Sequence, residues 1–178
     1  MKNLLVLLFI LVSRFFSPFL LYIHPAIACI VVYFFDSIDG YVLFSLKWKW
    51  QQYNIFDKLF DYWWYIHIAY YGFFTPMRWL IIALFIYRTM GQLFSLIGKT
   101  KYLLFFPNVL ERFFWIYVLT VYVPQLEMLI QFPYIILTLL LASTFALFFE
   151  YLLHIKKSYM ANYLFGLHLD WEKNKKRR

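Results

Sequence analysis

Long apolar stretches dominate this chain of 178 residues. An α-helix needs about 20 such residues to cross the hydrocarbon core of a bilayer. The sequence therefore predicts an all-α, polytopic membrane protein with about six transmembrane helices. Residues 1–155 would form a single transmembrane domain, followed by a basic tail at 156–178. Prolines and short polar segments separate the predicted spans, which cover 3–24, 25–47, 53–74, 77–97, 102–123 and 132–155.

The composition of the chain supports this interpretation. Hydrophobic residues make up 64% of the chain and charged residues 15%, whereas soluble domains average about 45–50% and about 25%. One small core cannot hide so much apolar surface from water. The composition therefore excludes an ordinary water-soluble globule, and with one cysteine an intrachain disulfide framework is excluded as well.

The charged residues also indicate an orientation in the membrane. Lys and Arg number 17 against 9 Asp and Glu, and a cluster of the cations lies in the tail, 156–178. Cytoplasmic segments of membrane proteins collect Lys and Arg. We therefore expect both termini and the 47–52 loop to be cytoplasmic, with Arg78 the one cation of the outer loops. The tail would contact anionic lipid, and no nucleic-acid partner is expected.

Four aspartates fall inside predicted membrane helices, where a carboxylate is costly and usually marks a functional site. One pair is spaced i, i+3 on the second span and the other i, i+4 on the third, so each pair shares a helix face. The two spans are antiparallel with a short loop, so the pairs can meet. Such a cluster needs a counter-charge, and hard divalent cations prefer oxygen ligands. The sequence predicts one or two Mg²⁺ or Mn²⁺ ions, with Ca²⁺ also compatible, at Asp36, Asp39, Asp57 and Asp61.

This arrangement resembles the signature of the CDP-alcohol phosphotransferase family, D-x2-D-G-x2-A-R-x8-G-x3-D-x3-D. The four aspartates and Gly40 stand at the signature positions, and the pairs fall on the second and third of six spans, as in the family. Three positions depart from the pattern. Leu43 and Phe44 stand where the family has Ala-Arg, and Tyr53 stands where it has the second glycine.

The resemblance implies an enzyme of phospholipid biosynthesis. Family members transfer a substituted phosphoryl group from a CDP-linked donor to an alcohol hydroxyl and release CMP. Here the donor would be a CDP-lipid such as CDP-diacylglycerol, the acceptor a polar alcohol, and the assembly a homodimer. By position, Asp36, Asp39 and Asp57 would bind metal. Asp61 would bind metal and also act as the catalytic base, and Gly40 would let the backbone approach the nucleotide.

The departures from the signature concern the nucleotide. Tyr53 would lie above the acidic face of the third span, where it either fills the space of a nucleotide or stacks against its base. Phe44 removes a cationic donor that Lys47, one turn beyond Leu43, would partly replace. We predict retained metal binding with weakened or altered nucleotide binding at Gly40, Lys47 and Tyr53. In the alternative interpretation, these residues repack as bulky side chains that face the lipid and have no effect on nucleotide binding.

Two arginines are predicted at the depth of the aspartates, roughly 8–16 Å from the cytoplasmic helix ends. Arg88 and Arg112 are therefore candidates for binding a phosphate on the acceptor. Snorkelling, or pairing of Arg112 with Glu111, accounts for them equally well. Glu150 is expected at the interface, and the scattered histidines are expected to be structural.

Two other functions are compatible with the same residues. The chain would be a catalytically silent relative with a scaffolding role in the membrane, or a cation or proton transporter that uses the four aspartates. Cation-dependent release of CMP would identify the enzyme. Metal binding without turnover would favour the silent relative, and cation flux in liposomes would favour the transporter.

Overall fold

The computed structural model describes residues 2–97 and 100–154, and within them the chain is all-helical, as predicted. Three short 3₁₀ segments, Ser17–Tyr22, Thr100–Leu104 and Pro124–Ile130, accompany the α-helices. The predicted tail, 156–178, lies outside the described residues. The six α-helices of the described part are α1 (Lys2–Phe16), α2 (Pro25–Ser45), α3 (Trp50–Phe73), α4 (Arg78–Leu96), α5 (Val109–Tyr122) and α6 (Tyr134–His154).

Prolines set the breaks near the N-terminus. The α1 helix ends at Phe16, and Pro18 lies in the first turn of the 3₁₀ segment that follows. Pro25 opens α2, where its missing N–H costs nothing. His24 caps this helix, because its Nδ1 accepts a hydrogen bond from the Ile27 N–H at 3.3 Å. This histidine is therefore structural, as expected.

Three segments of the described chain are long and apolar enough to cross a membrane: Leu4–Tyr22, Pro25–Ser45 and Tyr134–Leu152. The α3 and α4 helices have 24 and 19 residues, but both contain charged side chains that lower their hydropathy. The α5 helix has only 14 residues. The structure thus supports a membrane protein with three clearly apolar spans, fewer than the six predicted.

The predicted fifth span, 102–123, is divided near Pro107. Thr100–Leu104 forms a 3₁₀ segment, and α5 begins only at Val109. Asn108 caps α5, since its side-chain oxygen accepts a hydrogen bond from the Glu111 N–H at 3.3 Å. A proline followed by an N-capping asparagine favours a helix start at this point.

The short α5 is the central helix of the bundle. It contacts α2, α3, α4 and α6, while α1 packs on α2 and α3. Leu110, Phe113 and Phe114 on α5 are completely buried and form the middle of the main core. A second, smaller core lies beside the four aspartates. It consists of Ile10, Leu43, Tyr53 and Phe56.

The polarity of this bundle is the reverse of that of a soluble protein. Large apolar side chains face outward, including Leu140 at 60% and Phe145 at 61% exposure on α6. Charged side chains lie inside, including Arg14 at 4% and Arg88 at 2%. An apolar exterior suits hydrocarbon, and ionisable groups in membrane proteins face the bundle interior. The surface therefore agrees with the membrane location that the sequence predicts.

Candidate active site

Two acidic pairs meet where α2 and α3 lie side by side. Asp36 and Asp39 are one turn apart on α2, and Asp57 lies near the start of α3. Each of these three offers a carboxylate oxygen, and the three oxygens lie within 4.8 Å of one another. Ligand oxygens lie about 2.0–2.6 Å from Mg²⁺ or Ca²⁺, hence at most about 4–5 Å apart. The three carboxylates therefore fit a single divalent cation.

The cluster has a closed side and an open side. The side chain of Asp39 has 0% exposure, whereas that of Asp36 is 39% exposed. Asp57 and Asp61 lie between these extremes, at 15% and 16%. A small ion or a substrate oxygen would therefore approach from the side of Asp36.

Arg14 of α1 reaches into the cluster and contacts three of the four aspartates. Its Nη1 donates to Asp36 Oδ1 at 2.7 Å, its Nε lies 3.2 Å from Asp39 Oδ2, and its Nη2 lies 3.4 Å from Asp61 Oδ1. The guanidinium is planar and presents several donors at once, so it can serve three carboxylates. Arg14 therefore joins α1 to both α2 and α3.

The position of Arg14 is fixed by its neighbour in sequence. The Trp63 indole N–H donates to the Phe15 carbonyl at 3.0 Å, and the two rings stack at a centroid distance of 5.3 Å. The Phe15 carbonyl lies in the last turn of α1, where helix carbonyls lack an intrahelical partner. This contact anchors the end of α1 on α3.

Lys58 supplies a second cation from within α3. Its Nζ donates to Asp57 Oδ2 at 2.7 Å and to Asp61 Oδ2 at 3.0 Å. The lysine side chain is only 9% exposed. Together, Arg14 and Lys58 bring two positive charges to four carboxylates. When all are ionised the cluster therefore carries two net negative charges, which one divalent cation would balance.

Asp61 differs from the other three aspartates. Its Oδ1 faces Arg14 and its Oδ2 faces Lys58, so both oxygens contact protein cations. It is not in the group of three that shares a cation-sized space. The structure thus places Asp61 beside the other three predicted metal ligands, with each of its oxygens in contact with a protein cation.

Tyr53 fills the space next to Gly40. A Cβ at position 40 would lie 2.9 Å from the Tyr53 hydroxyl oxygen, so only glycine fits there without a shift. The Tyr53 hydroxyl donates, at 3.4 Å, towards the Oδ1 atoms of both Asp39 and Asp57. The tyrosine is 8% exposed. It therefore occupies the volume that a glycine at position 53 would leave open.

Lys47 lies in the turn between α2 and α3. Its φ of 64° is left-handed, and the Trp48 N–H bonds the Leu43 carbonyl at 3.1 Å across it. This is the geometry of a helix C-terminal cap, which usually takes glycine. The lysine side chain is exposed, and the described contacts do not bring it into the aspartate cluster.

Arg88 makes contacts on α6 and on the segment before α5. Its Nη1 lies 2.7 Å from Glu150 Oε1 and donates to the Phe106 carbonyl at 2.6 Å. Glu150, which the sequence places at the membrane interface, is 4% exposed and lies inside the bundle. A buried charge that loses its partner is costly, and in this pair Arg88 and Glu150 balance each other's charge.

Arg112 and Glu111 do not form the pair that the sequence left open. The Arg112 guanidinium lies over the Phe149 ring, 4.9 Å from its centroid, a cation–π distance. Glu111 accepts a hydrogen bond from Asn108 Nδ2 at 2.5 Å. Both arginines that were predicted to bind an acceptor phosphate thus lie against α6, where Arg88 forms an ion pair with Glu150.

The sequence carried a signal for the two cations of the site. Arg14 is the one charged residue of the apolar segment Leu4–Tyr22, and a charge at membrane depth demands a partner of opposite sign. Lys58 stands one residue after Asp57 and three before Asp61, within reach of both. Neither was predicted as a partner of the aspartates.

The fold and the site can be set beside known proteins. Comparison with protein-family models, characterised proteins and solved structures finds no match to this chain. What the protein does must therefore be inferred from the geometry of its acidic cluster.

Proposed function

We propose that the protein is a multi-pass membrane transferase of the CDP-alcohol phosphotransferase type. It would move a phosphatidyl-type group from a CDP-linked lipid to the hydroxyl of a polar alcohol and release CMP. One observation carries the proposal: Asp36, Asp39 and Asp57 come from two helices and place their oxygens within the reach of one cation. A homodimer is part of the proposal, by the resemblance alone.

The chemistry follows from the roles of the aspartates. A Mg²⁺ or Mn²⁺ ion at Asp36, Asp39 and Asp57 would neutralise the donor diphosphate and stabilise the charge on departing CMP. Asp61 accepts the proton of the alcohol, whose oxygen bonds to phosphorus as the phosphorus–oxygen bond to CMP breaks. Lys58 and Arg14 orient the Asp61 carboxylate for this step.

The proposal is tested by product analysis. Purified protein in lipid nanodiscs is given CDP-diacylglycerol, Mg²⁺ and a panel of polyols and polyol phosphates. CMP release and new phospholipids are measured by mass spectrometry. We expect both to require the cation and to be absent with Asp39→Asn. Equal CMP release by wild-type protein in excess chelator would contradict the proposal.

The proposed topology has six membrane-embedded helices and cytoplasmic termini. A single cysteine at position 51, in a variant with Cys29→Ser, is expected to be protected from an impermeant thiol reagent in intact cells and labelled after permeabilisation. The reason is the excess of cations on that side. A cysteine at Thr75, on the opposite side, serves as the matched control. Labelling at position 51 in intact cells would reverse the orientation.

A catalytically silent relative is the second candidate, and Tyr53 favours it. The tyrosine hydroxyl lies against Gly40 and between Asp39 and Asp57, so nucleotide would have to displace a buried ring. In this case the protein would bind a divalent cation and turn over no CDP-lipid.

Restoring the signature residues should restore nucleotide binding. In Phe44→Arg with Tyr53→Gly, the ring is removed and a guanidinium is supplied for phosphate. We expect CMP with Mg²⁺ to bind roughly tenfold more tightly or better, by calorimetry, because a charge-assisted contact is worth about 1.5–3 kcal/mol. Phe44→Arg alone is the control, and it should gain less. Strong CMP binding by the natural protein that Tyr53→Gly abolishes would show that Tyr53 is a stacking platform.

A further inference from the structure

The four aspartates are already partly neutralised by the chain itself. We infer that Arg14 and Lys58 take the place of a second metal ion, so that this site binds one divalent cation, at Asp36, Asp39 and Asp57. The inference rests on the metal site of the proposed function. It assigns the two cations a specific effect, which is to set the number of ions bound.

The contacts of the individual carboxylate oxygens support the binding of a single ion. Arg14 contacts Oδ1 of Asp36 and Oδ2 of Asp39, and Lys58 contacts Oδ2 of Asp57. A carboxylate has two oxygens, and the second oxygens of Asp39 and Asp57 are both Oδ1. Both accept from the Tyr53 hydroxyl at 3.4 Å, so they converge on one point. A cation bound there would replace this long hydroxyl contact.

Asp61 cannot serve a second ion in the same way. A bridging ion would need one of its oxygens, and Arg14 contacts one and Lys58 the other. The guanidinium also lies between α2 and α3, since it contacts aspartates of both helices. A second ion between Asp61 and the α2 pair would have to displace Arg14.

The sum of charges gives the same answer. With all four carboxylates ionised, the form that binds a cation, they carry a net charge of −2 together with Arg14 and Lys58, and one divalent cation brings this to zero. A second such ion would leave two excess positive charges in a buried site. Excess charge is expensive where the dielectric constant is low, because Coulomb repulsion is little screened there.

Arg14 cannot easily withdraw to make room. Its side chain is 3% exposed, and the adjacent Phe15 carbonyl is bound by the Trp63 indole at 3.0 Å. Lys58 is likewise 9% exposed and sits between its two partners. Both cations are thus built into the fold.

The experiment counts bound ions. Full-length protein in nanodiscs is titrated with Mn²⁺, and free Mn²⁺ is measured by its electron paramagnetic resonance signal. The wild-type chain should bind one Mn²⁺. Arg14→Gln should bind one Mn²⁺ roughly tenfold more tightly, because a nearby positive charge is gone. Arg14→Gln with Lys58→Gln should bind two. The matched control, Arg78→Gln with Lys49→Gln, removes two exposed cations and should bind one, as wild type does.

The possible failures are distinguishable. Two Mn²⁺ in the wild-type chain, or one in the Arg14→Gln, Lys58→Gln variant, would overturn the inference and leave the metal site in place. No bound Mn²⁺ in the wild-type chain would overturn the proposed metal site itself. If the double variant does not fold, the wild-type count and the affinity of Arg14→Gln decide, and unchanged affinity in that variant counts against the inference.

Discussion

Asp61→Asn is expected to lower CMP release by about 10²–10⁴-fold while Mn²⁺ binding persists. An amide cannot accept the alcohol proton, but the three carboxylates that share a cation-sized space are untouched. Both quantities are measured on one preparation, turnover by CMP release and binding by Mn²⁺ titration. Since Asp61 also contacts Arg14 and Lys58, thermal unfolding is followed in parallel.

The matched comparison is Asp36→Asn on the neighbouring helix. This variant should lose Mn²⁺ affinity together with turnover, because one of the three shared oxygens belongs to a weaker ligand. The two variants thus separate proton transfer from metal binding. Near-normal turnover in Asp61→Asn would rule out Asp61 as the base.

The second large effect concerns stability. Arg88→Ala should destabilise the protein by about 3–5 kcal/mol, because Glu150 would stay buried without the Arg88 guanidinium. Glu150 is 4% exposed and its carboxylate lies 2.7 Å from the Arg88 guanidinium. Unfolding by sodium dodecyl sulfate in mixed micelles measures the change. The loss of the Phe106 carbonyl contact adds to it.

Two controls identify the cause of this destabilisation. Arg88→Met with Glu150→Leu removes both charges and should recover much of the lost stability, since an apolar pair of similar volume replaces the ion pair. Arg78→Ala, at the exposed start of α4, should change little. Full stability in Arg88→Ala would mean that Glu150 is satisfied by other groups.

Much of this fold could be predicted from hydropathy and helix-boundary residues. The spans at the N-terminus and at α6 are predominantly apolar, and Pro25 marks the start of α2. The α5 helix was predicted too long, because its preceding residues are as apolar as its own. Hydropathy cannot separate a 3₁₀ segment from a helix when both are buried in the same surroundings.

The acidic half of the site could also be predicted, but the contacts of Arg14 with it could not. Spacing along one helix places Asp36 with Asp39 and Asp57 with Asp61. Arg14 is 22 residues from Asp36 and 47 from Asp61, so their meeting depends on how α1 packs. Arg88 and Glu150 meet across separate helices for the same reason. Pairings of this kind are set by tertiary packing, which one sequence does not display.

The three contacts of Arg14 also constrain how the chain is made. Arg14 leaves the ribosome 22 residues before Asp36, which is about 1–4 s at typical elongation rates. Arg14 lies near the middle of the apolar segment Leu4–Tyr22, and an unpaired arginine at the middle of a membrane span costs about 2.5–3.5 kcal/mol on insertion scales. Release of α1 into lipid before α2 would expose that charge, and release of α2 alone would expose two carboxylates. Insertion of α1 and α2 together, as a hairpin in which Arg14 pairs with Asp36 and Asp39, lowers both costs, so we expect α1 to remain at the translocon until α2 arrives.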